Sequence, residues 1–110
     1  MQGRADRIRD RLVDLLGAQA GTIAGYGAPA KATTLLNFCG ITRTDLEFVV
    51  DTTPAKQGRY IPGTGIPIVS PESAPDADTF LLLAWNYSRQ IMRNNPGRRW
   101  IVPFPAPVQL

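Results

Sequence analysis

The chain has 110 residues, 44% of them hydrophobic, which is enough for one hydrophobic core and too few for two. Its net charge of +3 comes without any block of like charges, so composition requires neither a nucleic-acid nor a membrane partner. It has no histidine, the usual general base near neutral pH and the commonest metal ligand. A single cysteine, Cys39, excludes an internal disulfide, and no apolar run approaches the ~20 residues that cross a bilayer. We therefore expect a soluble, cytoplasmic protein.

The hydrophobic pattern predicts five strands that alternate with helices. Helices are expected where apolar residues recur at steps of three and four, and strands where β-branched and apolar residues form short runs. In chain order the predicted elements are a helix over 5–16, a strand over 22–26, a glycine turn over 25–31 and a second helix whose apolar stripe covers 32–39. Pro29 is well placed as the first residue of this second helix, and Gly40 ends it. There follow a strand over 46–51, a long loop over 52–65, strands over 66–69 and 80–85, a helix over 87–95 and a strand over 100–102.

These elements favour an α/β fold with an open parallel sheet of Rossmann-like type and flanking helices. The run at 80–85 is almost uninterrupted apolar sequence, which is typical of a strand buried on both faces, so we expect it near the centre. We predict the strand order 3-2-1-4-5. In such a sheet a ligand crevice lies at the carboxyl ends of the strands where the order reverses, here between the first and fourth strands.

One segment at this predicted edge is the glycine turn Gly25-Tyr-Gly-Ala-Pro-Ala-Lys31. Its glycines permit close backbone approach, and the helix that follows points free N–H groups toward an anion. Lys31 adds a positive charge that favours a phosphate or diphosphate. The alternative is a glycine turn that only packs the helix on the sheet.

Two phosphate-binding motifs match this turn in part. As a Walker A loop it has Ala30 in place of the second glycine and Ala32 in place of the magnesium-binding Ser or Thr, which argues against nucleoside triphosphate hydrolysis. As a dinucleotide fingerprint it reads Gly25-x-Gly27-x-x-Ala30, and Asp51 ends the second strand, where the acidic ribose ligand lies. A free-standing NAD(P)- or nucleotide-binding module therefore stays open.

The long loop after the second strand starts from the same edge of the sheet. It carries Lys56, Arg59 and Tyr60. Arg59 could clamp phosphate oxygens, and Tyr60 could stack on a base or hydrogen-bond a sugar. The alternative is a solvated basic loop that Tyr60 anchors.

The second segment at the predicted edge is Trp85-Asn86-Tyr87, directly after the fourth strand, and it also has a purely structural alternative. Trp85 ends an apolar run, so its side chain fits a core position, and Asn86 could cap the next helix. The pair Arg98-Arg99 is predicted to lie on a solvated face.

Several ordered motifs together resemble a known family. They are Gly25-Tyr-Gly-Ala-Pro-Ala-Lys31, Thr34-Leu-Leu-Asn37, Val50-Asp51, Lys56-Gln-Gly-Arg-Tyr60, Pro62-Gly-Thr64, Ile66-Pro-Ile68 and Leu82-Leu-Ala-Trp-Asn86. From about Gly21 to Phe104 the chain resembles the C-terminal domain of SAM-dependent C-methyltransferases that act on nucleotide-linked deoxysugars.

The resemblance implies a substrate-side domain that is not catalytic alone. It implies residues 1–18 as a connector helix packed on a Rossmann-like domain of residues 19–110. No cofactor is expected in this domain, because family members bind SAM and zinc in other domains, which we expect to lie outside these residues. The implied partners are a nucleotide-linked sugar with its diphosphate and the SAM-binding domain of the parent protein, with no nucleic acid and no membrane.

The resemblance also carries over candidate substrate-binding residues, and no catalytic or metal-binding residue. They are Gly25, Tyr26, Gly27, Lys31, Lys56, Arg59, Tyr60 and Asn86. Among them, Lys31 and Arg59 are expected at the diphosphate, and Tyr60 and Asn86 at the sugar or base. A third possibility is an interaction or oligomerisation domain whose crevice is vestigial.

Overall fold

The structure is a computed structural model that describes residues 3–103 and 108–109. Its elements in chain order are α1 (Arg4–Gly17), β1 (Ile23–Tyr26), α2 (Ala30–Cys39), β2 (Val49–Val50), β3 (Ile68–Val69), β4 (Thr79–Leu82), a 3₁₀ turn (Trp85–Tyr87), α3 (Ser88–Asn94), β5 (Arg99–Val102) and β6 (Val108–Gln109). The Pro-rich stretch 104–107 lies outside the described residues.

The strands form one sheet in the order β3-β2-β1-β4-β5-β6. The first five of these are parallel, so the predicted α/β class and the order 3-2-1-4-5 are confirmed. The sixth strand, β6, was not predicted. It pairs antiparallel with β5, Val102 opposite Val108. Its two residues follow the proline-rich sequence 103–107, and a strand of two residues is too short to give a hydrophobic pattern.

Apolar side chains cover both faces of the sheet. On one face, Leu12 of α1 and Leu36 of α2 are fully buried in a cluster with Leu81. On the other face, Phe80 belongs to a second cluster against which Ile91 of α3 packs. Neighbouring strand residues point to opposite faces, and all four residues of β4 are buried, as expected for a central strand.

Several element boundaries differ from their predictions. β4 ends at Leu82 because the chain leaves the strand conformation at Ala84 (φ −87°, ψ 59°) and enters the 3₁₀ turn. Pro29 is the residue before α2 rather than its first helical residue, since its ψ of 162° is extended. Gly40 ends α2 as predicted, with the left-handed φ of 69° that glycine adopts without strain.

Helix α1 is packed into the same core as the sheet. Leu12 and Leu16 are both buried in the cluster that holds the apolar side chains of α2. The role of this helix as a connector to another domain stays a prediction. Within the part of the chain that the structure describes, no helix combines the length and the apolar character needed to span a bilayer.

Candidate functional site

A crevice of about 420 Å³ lies at the carboxyl ends of β1, β2 and β4. Three segments line it: residues 26–29 of the glycine turn, residues within 51–56 of the loop after β2, and residues within 84–95 of the helical segment after β4. The crevice therefore occupies the edge of the sheet where the reversal of strand order predicts a ligand site.

Close packing requires glycine at two positions near this crevice, Gly27 and Gly25. Gly27 adopts a φ of +87°, and a Cβ added to it would lie 2.6 Å from the Cβ of Ala84, so the turn requires glycine there. Gly25 lies one step earlier in β1, where an added Cβ would meet the side chains of Leu83 and Val49 at 2.8 Å. Gly25 therefore lets the core close, and it does not line the crevice.

Asp51 ties the glycine turn to the loop after β2. Its buried carboxylate accepts a hydrogen bond from the N–H of Ala28 at 2.8 Å through Oδ2 and one from the N–H of Thr53 at 2.7 Å through Oδ1. The N–H of Gly27 donates to the Val50 carbonyl at 2.6 Å. Since Pro29 has no N–H, residues 27–29 keep no free backbone donor for a pyrophosphate, which weakens the dinucleotide-binding alternative.

Lys56 brings a positive charge to the crevice. Its half-buried ammonium donates to the Ala28 carbonyl at 2.9 Å, which holds the side chain against the glycine turn. The neighbouring Gln57 donates from Nε2 to the Asp51 carbonyl oxygen at 2.8 Å and fixes the start of the loop. Among the described lining residues, Lys56 is the one cation. Its ammonium carries three protons, so two remain for a ligand.

Neutral polar side chains form part of the crevice wall, together with the apolar Ala84 and Ile91. Tyr87, Gln90 and Asn94 line the crevice from the helical segment, and Thr52 lines it from the loop. Hydroxyl and amide groups of this kind recognise sugar hydroxyls and the edges of bases. Tyr87 belongs to the segment predicted at this edge, whereas sequence reasoning missed Thr52, Gln90 and Asn94. The spacing 87, 90, 94 on a predicted helix places polar side chains on one face and could have revealed Gln90 and Asn94.

Tyr26 borders the crevice on a fixed aromatic support. Its ring meets Phe80 edge-on at 6.3 Å between centroids and Trp100 at 5.8 Å. Both partners are buried, so the phenol of Tyr26 sits on a rigid base. Of the eight substrate-binding residues that the resemblance implies, three line this crevice: Tyr26, Gly27 and Lys56.

Lys31 lies away from the crevice. Its ammonium is 5.1 Å from the centroid of the Trp85 ring, a cation–π contact. Together with Leu35 and Phe38, these residues line a separate apolar groove of about 330 Å³. Phe38 is 47% exposed there, and the guanidinium of Arg9 lies 5.5 Å from its ring centroid.

Arg59, Tyr60 and Asn86 also lie outside the crevice lining. The loop turns back on β3, where the N–H of Ile68 donates to the Arg59 carbonyl at 2.8 Å, and Tyr60 forms a backbone bridge with Pro67. Tyr60 is 60% exposed. Asn86 is exposed in the 3₁₀ turn, and its side chain does not cap α3.

Comparison with known proteins shows to which family the chain belongs. Residues 1–105 match the family model of the C-methyltransferase C-terminal domain. The chain belongs to this family. It is 44% identical to a C-methyltransferase, NovU of Streptomyces niveus, over 112 residues that cover 93% of this chain and 27% of that protein. The chain thus spans about a quarter of the length of this curated relative.

The family assignment confirms the resemblance carried by the ordered motifs. In this chain, the crevice at the switch point of the sheet is lined by Tyr26, Gly27 and Lys56 among others.

Proposed function

We propose that this domain holds the nucleotide-linked sugar substrate of a SAM-dependent C-methyltransferase and is not catalytic alone. One observation carries the proposal: the crevice at the carboxyl ends of β1, β2 and β4 combines the ammonium of Lys56 with neutral hydroxyl and amide side chains. The family membership supplies the reaction class, transfer of a methyl group to carbon.

The chemistry of this lining suits a sugar nucleotide better than a nucleoside triphosphate. Sugar hydroxyls and carbonyls exchange hydrogen bonds with side chains such as Thr52, Gln90 and Asn94, which carry donors and acceptors but no charge. Lys56 supplies one positive charge for a phosphate group. From sequence, Lys31 and Arg59 are expected at the diphosphate, but both lie outside the crevice, so the proposal assigns its first phosphate contact to Lys56.

The reacting groups are expected in the rest of the parent protein. SAM, bound by the methyltransferase domain, supplies the methyl group, while this domain positions the acceptor. The chain has no histidine to act as base, and within residues 3–103 and 108–109 no three His, Cys, Asp or Glu side chains converge as metal ligands, so these residues do not fit a zinc ion. A cytoplasmic location belongs to the same proposal and accords with the free thiol of Cys39.

A second candidate role, contact with another protein domain, is favoured by the apolar groove at Lys31, Phe38 and Trp85. The groove shares no lining residue with the crevice, so both roles can operate in one domain. Apolar grooves of this kind on a surface mark contacts with protein or ligand.

Calorimetric titration of the 110-residue chain tests the proposal. Thymidine diphosphate and a thymidine-diphosphate sugar are expected to bind, with the sugar nucleotide tighter because the neutral wall contacts its sugar. NAD and SAM are the matched controls and are expected not to bind. Binding of NAD without thymidine diphosphate would restore the dinucleotide-binding module and contradict the proposal, as would binding of none of the four.

A further inference from the structure

A second cavity, of about 170 Å³, lies beside the crevice. Tyr26 and Asn95 border both spaces, so the two are neighbours across these side chains. The cavity is closed on its other sides by the loop after β3, which contributes Asp76, and by Arg98 in the turn before β5. The charged and amide side chains of Asp76, Asn95 and Arg98 give this second cavity a polar lining.

Arg98 is held in this cavity by an aromatic ring. Its guanidinium carbon lies 4.6 Å from the centroid of the Phe80 ring, and Phe80 is itself 2% exposed and packed against Tyr26 and Trp100. Within the described part of the chain, no carboxylate pairs with Arg98. A guanidinium that lies over a ring keeps its N–H groups available at its edge, in a fork that matches phosphate oxygens.

A nucleoside diphosphate carries more negative charge than the crevice alone offsets. Lys56 is the one cation among the crevice's described lining residues, one of its protons already goes to the Ala28 carbonyl, and the Asp51 carboxylate lines the same space. The N–H groups of Gly27 and Ala28 are already bonded within the protein, so they add no donors for a second phosphate. Two cations line cavities that share residues with the crevice: Arg98, in the cavity that shares Tyr26 and Asn95, and Arg89, in one that shares Tyr87 and Gln90. We choose Arg98 because the Phe80 ring fixes its guanidinium, which can bind phosphate oxygens bidentately.

We propose that Arg98 is the second phosphate-binding residue of this domain and donates to the diphosphate of a ligand that spans the crevice and the cavity past Tyr26. The inference rests on the proposed function, because it takes the ligand to be a nucleoside diphosphate. Asp76 lines the same cavity, and its carboxylate repels the diphosphate, so it limits how tightly the anion is bound.

Arg98→Gln tests the inference, with Arg99→Gln as the matched control. The two arginines are neighbours, both are exposed, and their loss changes the net charge equally, but Arg99 begins β5 and lines neither space. Calorimetry with thymidine diphosphate is expected to show affinity reduced by about tenfold or more in Arg98→Gln and within about twofold of wild type in Arg99→Gln. Thymidine, which has no phosphate, is the control ligand, and its affinity should be the same in wild type and in both variants.

Two further variants sharpen the test. Arg98→Lys keeps the charge but loses the fork and is expected to fall between wild type and Arg98→Gln, whereas Asp76→Asn is expected to bind thymidine diphosphate about two- to fivefold more tightly. Thermal unfolding of each variant confirms that it folds. Equal losses in Arg98→Gln and Arg99→Gln, or no loss in either, would overturn the inference while wild-type binding still upholds the proposed function. Failure of the wild-type chain to bind thymidine diphosphate would overturn both.

Discussion

The carboxylate of Asp51 and the backbone N–H of Ala28 are joined by a 2.8 Å hydrogen bond that links the end of β2 to the glycine turn after β1. The other carboxylate oxygen accepts from Thr53 at 2.7 Å. Asp51 therefore holds together two of the three segments around the crevice. Its position in the sequence resembles that of an acidic ribose ligand, but in the fold its carboxylate supports the glycine turn and the loop after β2.

This role predicts a loss of stability when Asp51 is changed. Asp51→Asn keeps one acceptor oxygen and turns an NH₂ group toward the second backbone donor, which leaves one part-buried backbone N–H unpaired. We expect a loss of about 1–3 kcal/mol in the free energy of unfolding, measured by urea denaturation. Asp45→Asn is the control, because Asp45 is exposed and accepts one backbone N–H, from Thr42, at 3.1 Å. Equal effects of the two changes would remove the special role of Asp51.

The conformation of Gly27 predicts a second loss of stability. Gly27→Ala places a Cβ 2.6 Å from that of Ala84 and forces a positive φ on an L-residue. We expect about 1–3 kcal/mol of destabilisation, with a displaced glycine turn. Gly17→Ala is the control, since Gly17 ends α1 with nothing within 4 Å of an added Cβ, and it should be neutral or slightly stabilising. A Gly27→Ala variant as stable as wild type would show that the turn can rearrange at little cost.

Lys56 and Lys31 give opposite predictions for ligand binding. Lys56→Gln removes the charge beside the glycine turn while retaining hydrogen-bond donors, so it should weaken thymidine diphosphate binding by about 1–3 kcal/mol in calorimetry. Lys31→Gln changes a residue that contacts Trp85 outside the crevice, and its affinity should match that of wild type. Weaker binding by Lys31→Gln together with unchanged binding by Lys56→Gln would instead indicate that the diphosphate binds at the start of α2.

The single thiol predicts a pH effect on stability. Burial raises the pKa of Cys39, and the positive charge of Arg9 offsets this in part. The folded state disfavours the thiolate. Below the ordinary thiol pKa of about 8.5 the thiol is protonated in both states, so its ionisation does not affect the free energy of unfolding. As pH rises above that value, the unfolded state ionises first and the free energy of unfolding falls. In urea denaturation between about pH 8 and 9.5, wild type should lose stability more steeply than Cys39→Ala. Parallel curves would contradict the burial of the thiol.

The arrangement of the sheet and the location of the crevice could be predicted from sequence, while the crevice lining could be predicted only in part. The apolar run that contains β4 and the glycine turn after β1 indicate a switch point without any knowledge of side-chain directions. Lys31 follows the glycine turn directly, yet the way α2 is rotated carries its ammonium to Trp85, and linear spacing does not reveal that rotation.

The long loop shows a second limit of sequence patterns. Arg59 and Tyr60 leave the edge of β2 because the loop folds back and pairs with residues 67–68 of the next strand segment, a long-range contact that no local pattern encodes. Arg98 shows the converse. From sequence it belongs to a solvated basic pair, and its place over Phe80 depends on the packing of β4 against the turn before β5.

The proposal that the crevice at the carboxyl ends of β1, β2 and β4 binds a sugar nucleotide is tested most directly by backbone-amide NMR. On titration of the ¹⁵N-labelled chain with a thymidine-diphosphate sugar, we expect the largest saturable shifts at the amides of Gly27, Thr53, Lys56 and Asn95, which surround the crevice. Shifts confined to Lys31, Phe38 and Trp85 in the apolar groove, or no saturable shift in the crevice, would contradict it.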